Sequence, residues 1–131
     1  MLHIFNMLDC KLAPTPFQSG VVLSTTCPTP SVYFTLYRHL VGSLLYLTHT
    51  HPDISFAVGI VSQFSHDPHE SHWQASKHIP RYIRGTKFYG IHYTSGDPYI
   101  VGYTDSDWVG DVDDHKSTSR FIFYLGSGPI T

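Results

Sequence analysis

Charge is what this sequence has least of. Only 14% of its 131 residues are charged, and a single glutamate, Glu70, stands beside nine aspartates. A coiled coil needs abundant glutamate and lysine, whereas a disordered chain needs few aromatics and a high net charge. Here the aromatic content is 15% and the formal net charge is −2. The composition therefore excludes both classes and favours a globular chain.

Cysteines and long apolar runs are also scarce. Cys10 and Cys27 form neither a disulfide framework nor a C-x-x-C pair, so a reducing compartment is expected. No apolar run approaches the ~18 residues of a membrane span, and the first residues lack the basic and apolar regions of a secretory signal. We therefore expect an intracellular protein without a membrane partner, in a compartment that the sequence does not specify.

Proline and glycine interrupt every regular pattern in the first part of the chain. These breakers are Pro14, Pro16, Gly20, Pro28 and Pro30. Because they prevent continuous helix or strand, residues 1–32 are predicted to form a proline-rich tail.

Residues 33–94 carry the periodicity of short helices. The apolar stripe of a first helix consists of Leu36, Leu40, Val41, Leu44, Leu45 and Leu47. His51 precedes Pro52 and should end this helix, while Pro52 can begin a second one. The inner face of the second helix is predicted to contain Ile54, Ala57, Val58, Val61 and Phe64.

The start of a third helix is predicted from the sequence DPHE at 67–70. Asp67 would be the N-cap, Pro68 the first helical residue and Glu70 the third position of a capping box. Gly85 fits the C-cap of the same helix.

The periodicity changes after the third helix. Alternation in residues 89–93 and apolar β-prone runs at 99–103 and 121–125 predict three antiparallel strands, the last two joined by the acidic segment 104–118. The predicted fold class is therefore α+β, with about three short helices followed by a small antiparallel sheet.

An aspartate cluster is the sharpest chemical feature. It comprises Asp105, Asp107, Asp111, Asp113 and Asp114. The first two follow a predicted strand, which is a rigid mount for carboxylates, and carboxylates are the ligands that Mg²⁺ prefers. The alternative is a solvated acidic loop in which the aspartates form turns.

Half of all lysines and arginines lie within eleven residues, namely Lys77, Arg81, Arg84 and Lys87. The first three share one face of a helix and could lie along a phosphate backbone. Alternatively, they gather there because the helix dipole favours cations near a C-terminus.

Histidines form a third cluster of His66, His69 and His72, with His49 and His51 upstream. A shared metal is conceivable, but a structural zinc site usually takes four ligands, often including cysteine. A polar helix start is the favoured interpretation.

Several ordered motifs carry a family resemblance. YRHLVGSLLYL at 37–47, THPDI at 50–54, GYTDSDWVGD at 102–111 and KSTS at 116–119 resemble segments of copia-type long-terminal-repeat retrotransposon Pol polyproteins. Matches such as SQF at 62–64 and RYI at 81–83 lie between them, so the resemblance covers nearly the whole chain.

The resemblance implies a division of the chain. Residues 1–32 would follow the polymerase thumb, residues 33–94 would be the connection region of reverse transcriptase, and residues 95–131 would be the first strands of a truncated ribonuclease H domain. The implied parent copies RNA into DNA and cleaves the RNA of an RNA/DNA hybrid.

The same resemblance assigns Asp105 as the first carboxylate that binds Mg²⁺ in the intact parent. Asp107 is the less favoured candidate for this role. The family's remaining glutamate and two aspartates would lie beyond residue 131. We therefore expect a fragment that is inactive by itself, holds no cofactor and depends on the remainder of Pol. The alternative is a small module, derived from the retroelement, that binds nucleic acid or protein.

Three departures from the family pattern suggest decay. His51 replaces an arginine, Arg120 replaces a glycine, and Pro80 replaces an apolar residue inside the third helix. Because an interior proline costs a helix about 3 kcal/mol, the third helix is expected to kink or split near Pro80.

Overall fold

The computed structural model describes residues 2–26, 28–97, 99–106 and 119–130. The chain forms two compact units, Met1–Tyr89 and Gly90–Thr131. Over the described ranges, the first contains three α-helices and the second a three-stranded antiparallel sheet, so the predicted α+β class is confirmed. Within the described ranges, no helix combines the length and apolarity needed to cross a bilayer.

Helix α1 spans Phe34–Leu47 and buries four residues at helical spacing, Tyr37, Leu40, Val41 and Leu44. The predicted stripe is therefore partly wrong, because Leu36 and Leu45 are about half exposed. Tyr37 takes the buried place, and its hydroxyl donates a hydrogen bond to the carbonyl oxygen of Val61 at 2.7 Å. This bond satisfies the polar end of an otherwise apolar side chain.

Helix α2 spans Ser55–Gln63 and is preceded by the 3-10 turn Pro52–Ile54. The sequence predicted this element well, since all five residues of the expected inner face are buried. Proline begins the turn because its fixed φ suits a first helical position and its missing N–H has no helical partner there.

Helix α3 spans Glu70–Gly85, and its N-cap is His69, so the predicted start at Asp67 and Pro68 is wrong. Ser31 forms a β-bridge with His69, whose backbone is extended, and the backbone N–H of Val32 donates to the Pro68 carbonyl at 2.8 Å. These contacts hold His69 in an extended conformation, so the first helical residue is Glu70, two residues later than the local pattern indicates. Gly85 is the last helical residue, and the C-cap is Thr86.

Pro80 lies inside α3, which continues from Glu70 to Gly85 across it. The helix therefore does not split at Pro80, so that part of the prediction is wrong, and a kink at Pro80 stays a prediction. Pro80, Ile79 and Ile83 are all buried, the first two completely. Their packing offsets the backbone hydrogen bond that proline cannot donate.

Residues 2–26 and 28–32, expected as a tail, pack along the helices. Met7 and Ala13 are buried, and Phe5, Phe17 and Leu23 pack against the helical core. Proline thus breaks regular structure in this segment without preventing burial.

The sheet of the second unit consists of β1 (Ile100–Ser106), β2 (Ser119–Leu125) and β3 (Gly128–Pro129), in the order β1-β2-β3. The register places Ile100 opposite Leu125. The strand predicted at 89–93 is wrong, because β3 occupies the third position. The Tyr93 hydroxyl instead donates to the Pro129 carbonyl at 2.9 Å. The Tyr93 ring lies where a Cβ of residue 128 would be, so a side chain at this position would displace the ring.

Candidate metal and nucleic-acid sites

Asp105 lies near the end of β1, directly opposite Arg120 in the register. Alternation along the strand places it on the same face as Val101 and Tyr103. The Asp105 side chain is exposed, so its carboxylate can offer hard oxygen ligands to a cation arriving from solvent.

The other members of the aspartate cluster, including Asp107, lie outside the described residues. Within the described part of the chain, no group of three or more histidines, cysteines, aspartates or glutamates is placed to hold a metal ion. Among the described residues, Asp105 thus offers a single exposed carboxylate, and the residues described around it do not complete a coordination shell.

The four cations predicted to contact nucleic acid, here called the basic surface, have different surroundings. Lys77 Nζ lies 5.2 Å from the centroid of the Trp73 ring on α3. Lys87 follows α3, and its Nζ lies 4.7 Å from the centroid of the Phe88 ring. Both ammonium groups are near enough for cation–π attraction and still reach solvent.

Arg81 and Arg84 differ in availability. Arg81 is exposed and lines a groove of about 260 Å³ between α3 and residues 17–21. Across the described ranges, its side chain takes part in no ion pair or hydrogen bond. Arg84, by contrast, is half-buried and donates from its guanidinium to the carbonyl oxygen of Cys10. Arg84 thus fixes the first segment of the chain, a role that the sequence did not indicate.

Two histidines of the cluster, His69 and His72, form the polar start of α3, as the sequence favoured. His72 is completely buried and its ring stacks on Phe64 at 4.0 Å between centroids. Its Nδ1 accepts the backbone N–H of His69 at 3.0 Å, and its Nε2 lies 3.0 Å from the Ser24 carbonyl. His69 Nδ1 lies 2.6 Å from the carbonyl oxygen of Thr29. These ring atoms are engaged by the protein, which leaves the zinc alternative without support among the described residues.

Two further contacts escaped the sequence prediction. The Tyr82 hydroxyl donates to Asp53 Oδ2 at 2.6 Å and links α3 to the turn before α2. This hydrogen bond, together with burial, raises the pKa of Tyr82 to about 12. Arg38 Nε donates to the Ser65 carbonyl at 2.7 Å, and its guanidinium lies over the Phe34 ring. Both pairs join segments that are distant in sequence, so no local sequence pattern predicts these contacts.

Comparison with known proteins gives consistent relatives. The retrovirus-related Pol polyprotein from transposon RE1 of Arabidopsis thaliana is 46% identical over 127 residues, which cover 96% of this chain and 9% of that protein. The corresponding polyprotein from transposon TNT 1-94 of Nicotiana tabacum is 39% identical over 138 residues, covering 100% of this chain and 10% of the relative.

A smaller relative is the secreted RxLR effector protein 161 of Plasmopara viticola. It is 44% identical over 97 residues, which cover 72% of this chain and 68% of the effector. No family model matches the chain, and no solved structure matches it.

The chain thus spans about a tenth of the length of the Pol polyproteins that it matches. The matches extend over nearly all of its residues, as the ordered motifs predicted. The chain belongs to the family of retrovirus-related Pol polyproteins of copia-type transposons.

Proposed function

We propose that this chain is the part of a transposon Pol polyprotein in which the connection region of reverse transcriptase passes into ribonuclease H. The observation that carries the proposal is the position of Asp105, an exposed carboxylate near the end of the first strand of the sheet. It lies within the motif GYTDSDWVGD at 102–111 that resembles the start of the ribonuclease H domain. The parent would copy RNA into DNA and cleave the RNA strand of the hybrid.

Asp105 would act as one ligand of a magnesium site. Nucleases of this chemistry use two Mg²⁺ ions about 4 Å apart, which stabilise the attacking and leaving oxygens of the phosphodiester. The strand fixes the backbone of Asp105, and its exposure leaves the carboxylate accessible to a hydrated cation. The resemblance assigns one carboxylate of the metal site, Asp105, to this polypeptide, and one carboxylate cannot clamp two ions. We therefore expect the 131-residue polypeptide alone to be inactive.

Transfer of the chain into an active relative tests the assignment. The chain would replace the aligned residues of a copia-type Pol that is competent in vitro, and RNA cleavage and DNA synthesis would be measured separately. Asp105→Asn should reduce RNA cleavage by about 100-fold or more and leave DNA synthesis intact, because a metal ligand is lost.

Asp97→Asn is the matched control, since Asp97 is an exposed carboxylate of the same unit that lies before β1. It should leave both activities unchanged. Full RNA cleavage by the Asp105→Asn chimaera would contradict the assignment.

The inactivity of the isolated polypeptide needs its own measurement. Incubation with Mg²⁺ and an RNA/DNA hybrid should give no cleavage above the rate without protein. Robust cleavage that disappears in Asp105→Ala would contradict the inactivity while supporting the role of Asp105.

A second candidate function is direct contact with nucleic acid through the basic surface. The favouring observation is that Arg81 is exposed and unpaired among the described residues, one helical turn from Lys77. The formal net charge of −2 limits any affinity to this local surface. Arg84 would add little because its guanidinium is engaged by Cys10.

Fluorescence anisotropy with a short RNA/DNA hybrid at several salt concentrations tests this contact. Arg81→Glu should weaken binding and lower the salt slope by about one, as expected for the loss of one phosphate contact. Lys11→Glu is the control for net charge, because Lys11 is an exposed lysine of the same unit. Equal losses in the two variants would exclude a specific role for the basic surface.

A further inference from the structure

We propose that His72 is an acid-sensitive lock that holds residue 24 and residues 29–32, here called the docked segment, against the start of α3. The inference rests on the hydrogen bonds at both ring nitrogens of a completely buried imidazole. It is independent of the proposed enzymatic role.

The hydrogen bonds define the protonation state of His72. Its Nδ1 faces the backbone N–H of His69, a group that can only donate, so this nitrogen must be unprotonated. The proton therefore resides on Nε2, which donates to the carbonyl oxygen of Ser24. The neutral imidazole thus connects the helix start to a residue 48 positions earlier in the chain.

Adjacent backbone contacts complete the docking. The N–H of Glu70 donates to the Pro30 carbonyl at 3.0 Å, and the N–H of Val32 donates to the Pro68 carbonyl at 2.8 Å. His69 Nδ1 lies 2.6 Å from the Thr29 carbonyl. Since these bonds share one short interface, opening at His72 is expected to loosen them together.

A second proton on His72 is incompatible with this arrangement. Protonation at Nδ1 replaces the acceptor by a donor that faces another donor, the N–H of His69. It also places a positive charge on a ring with no solvent exposure, at the positive end of the α3 dipole. The Phe64 ring stacked on the imidazole supplies no hydrogen-bond acceptor to replace the lost one. Proton uptake therefore requires His72 to leave its site.

The charged groups around the helix start have other contacts. Asp67 Oδ2 lies 3.6 Å from His69 Nε2, and Glu70 Oε1 accepts from the side chain of Gln74. On α1, Arg38 binds the Ser65 carbonyl beside Phe64, which adds positive charge to this region. Tyr37 of α1 has its ring beside Trp73, and its hydroxyl donates a hydrogen bond to the carbonyl oxygen of Val61. His66 is exposed. The two carboxylates near the helix start thus lie beside His69 and Gln74.

A second contact region provides an internal reference. His78 Nε2 lies 3.1 Å from the Thr15 carbonyl, and the N–H of Ala13 faces the Arg81 carbonyl at 3.4 Å. His78 donates this bond, so the bond persists when the imidazole becomes positively charged. Acid should therefore release the docked segment and leave residues 10–15 on α3.

Hydrogen exchange of the full chain between about pH 7 and pH 5 tests the lock, with rates corrected for intrinsic exchange. The closed state excludes the proton, whereas the open state takes it up near pH 6.5, so the closed state is lost as the pH falls. The equilibrium constant for opening, measured at the amides of Glu70 and Val32, should rise by up to about 30-fold at pH 5. The Ala13 amide should show no such increase.

His72→Gln supplies the discriminating variant, because the glutamine amide offers one acceptor and one donor but does not titrate. Its opening should be independent of pH, whereas the matched control His78→Gln should keep the wild-type dependence. A flat profile in the wild type, or an unchanged pH dependence in His72→Gln, would overturn the proposal.

A measurement on the wild type keeps the test decisive if His72→Gln does not fold. Nitrogen-15 shifts of the imidazoles report when His72 Nδ1 gains its proton. This step must coincide with the opening of the Glu70 and Val32 amides. Protonation of His72 while these amides stay protected would refute the lock.

Discussion

Two tyrosines join the helices of the first unit through their hydroxyl groups, and their surroundings determine how each responds to alkali. Tyr37 is completely buried, and burial raises its pKa above the ordinary value. Tyr82 is only partly buried, and its hydrogen bond to Asp53 is the main reason that its pKa rises to about 12. In both cases the phenol loses its proton more readily in the unfolded chain than in the folded protein.

The difference in tyrosine pKa between the folded and the unfolded chain predicts a loss of stability in alkali. A tyrosine of ordinary pKa near 10 ionises in the unfolded chain first, so the contribution of Tyr82 is complete below about pH 10 and disappears as the pH approaches 12. The melting temperature should be compared at about pH 9 and about pH 11.5, which lie on either side of the ordinary tyrosine pKa near 10. Between these two values, the melting temperature of Tyr82→Phe should fall less than that of the wild type. Thermal unfolding monitored by circular dichroism gives the comparison.

At neutral pH, Tyr82→Phe should lower the free energy of unfolding by no more than about 1 kcal/mol, because the hydrogen bond between Tyr82 and Asp53 is partly exposed. Tyr46→Phe is the control, because the Tyr46 ring is largely exposed. If Tyr82→Phe lost as much stability in alkali as the wild type, the Asp53 contact would not govern this ionisation.

At the scale of elements, α3 is the helix on which the distant segments meet. Residues 10–15 contact its second half and the docked segment contacts its start. Pro80 lies within the part of α3 that residues 10–15 contact, between His78 and Arg81, inside a helix that remains continuous. Its effect on stability is therefore a balance between backbone and packing.

Pro80→Ala should stabilise the protein slightly, by up to about 1 kcal/mol. The substitution restores an N–H for the Ser76 carbonyl and removes a penalty of about 3 kcal/mol. It also gives up roughly 1.6 kcal/mol of apolar burial and up to ~1 kcal/mol of restriction in the unfolded chain. Urea denaturation measures the difference in free energy of unfolding.

Ile79→Ala is the matched comparison, because Ile79 is the adjacent, completely buried residue without a backbone effect. It should cost about 2–5 kcal/mol. A comparable loss in Pro80→Ala would show that the proline ring contributes far more packing than its backbone penalty removes.

Local signals predicted the elements that depend on local forces. The inner face of α2 follows from helical spacing after Pro52, and every expected residue is buried. The start of α3 was mispredicted because His69 is held by Thr29 and Ser31, which lie about 40 positions earlier. Such pairing leaves no trace in the sequence around residue 69.

The candidate sites show the same division. The motif around Asp105 predicted a carboxylate associated with a strand, and the structure places Asp105 within β1 rather than after it. Arg84 was grouped with the basic surface by its helical spacing, yet it binds Cys10. Spacing identifies a shared helix face but does not show which distant segment returns to cover it.

At the scale of the whole molecule, the two units differ in how much apolar surface they bury. Among its described residues, the first unit has a core of ten buried hydrophobic side chains drawn from all three helices and the turn before α2. In the second, alternation puts Phe121, Phe123 and Leu125 on one face of the sheet, and all three are exposed to a substantial degree. The opposite face presents Tyr103 and Tyr124, whose rings meet edge to face at 5.9 Å.

This contrast predicts unequal local stability. Among the described residues of the second unit, Gly128 is the one that is buried, so the backbone bonds between β1 and β2 gain little from apolar burial. Native-state hydrogen exchange should find the slowest amides in α1 and α2, at residues such as Leu44 and Val58. Amides of the β1–β2 ladder, such as Tyr103, should exchange about 100-fold faster or more.

The dependence of exchange on urea separates local opening from global unfolding in this comparison. Amides of the sheet should show a small slope, because their opening exposes little surface that was not already exposed. Amides of α1 should show the full slope of unfolding, since exchange there requires the core around Leu40 to separate. Equal urea slopes and equal exchange rates in the two units would contradict this prediction. Such a result would mean that the aromatic faces of the sheet, which are exposed in the structure, are covered in solution.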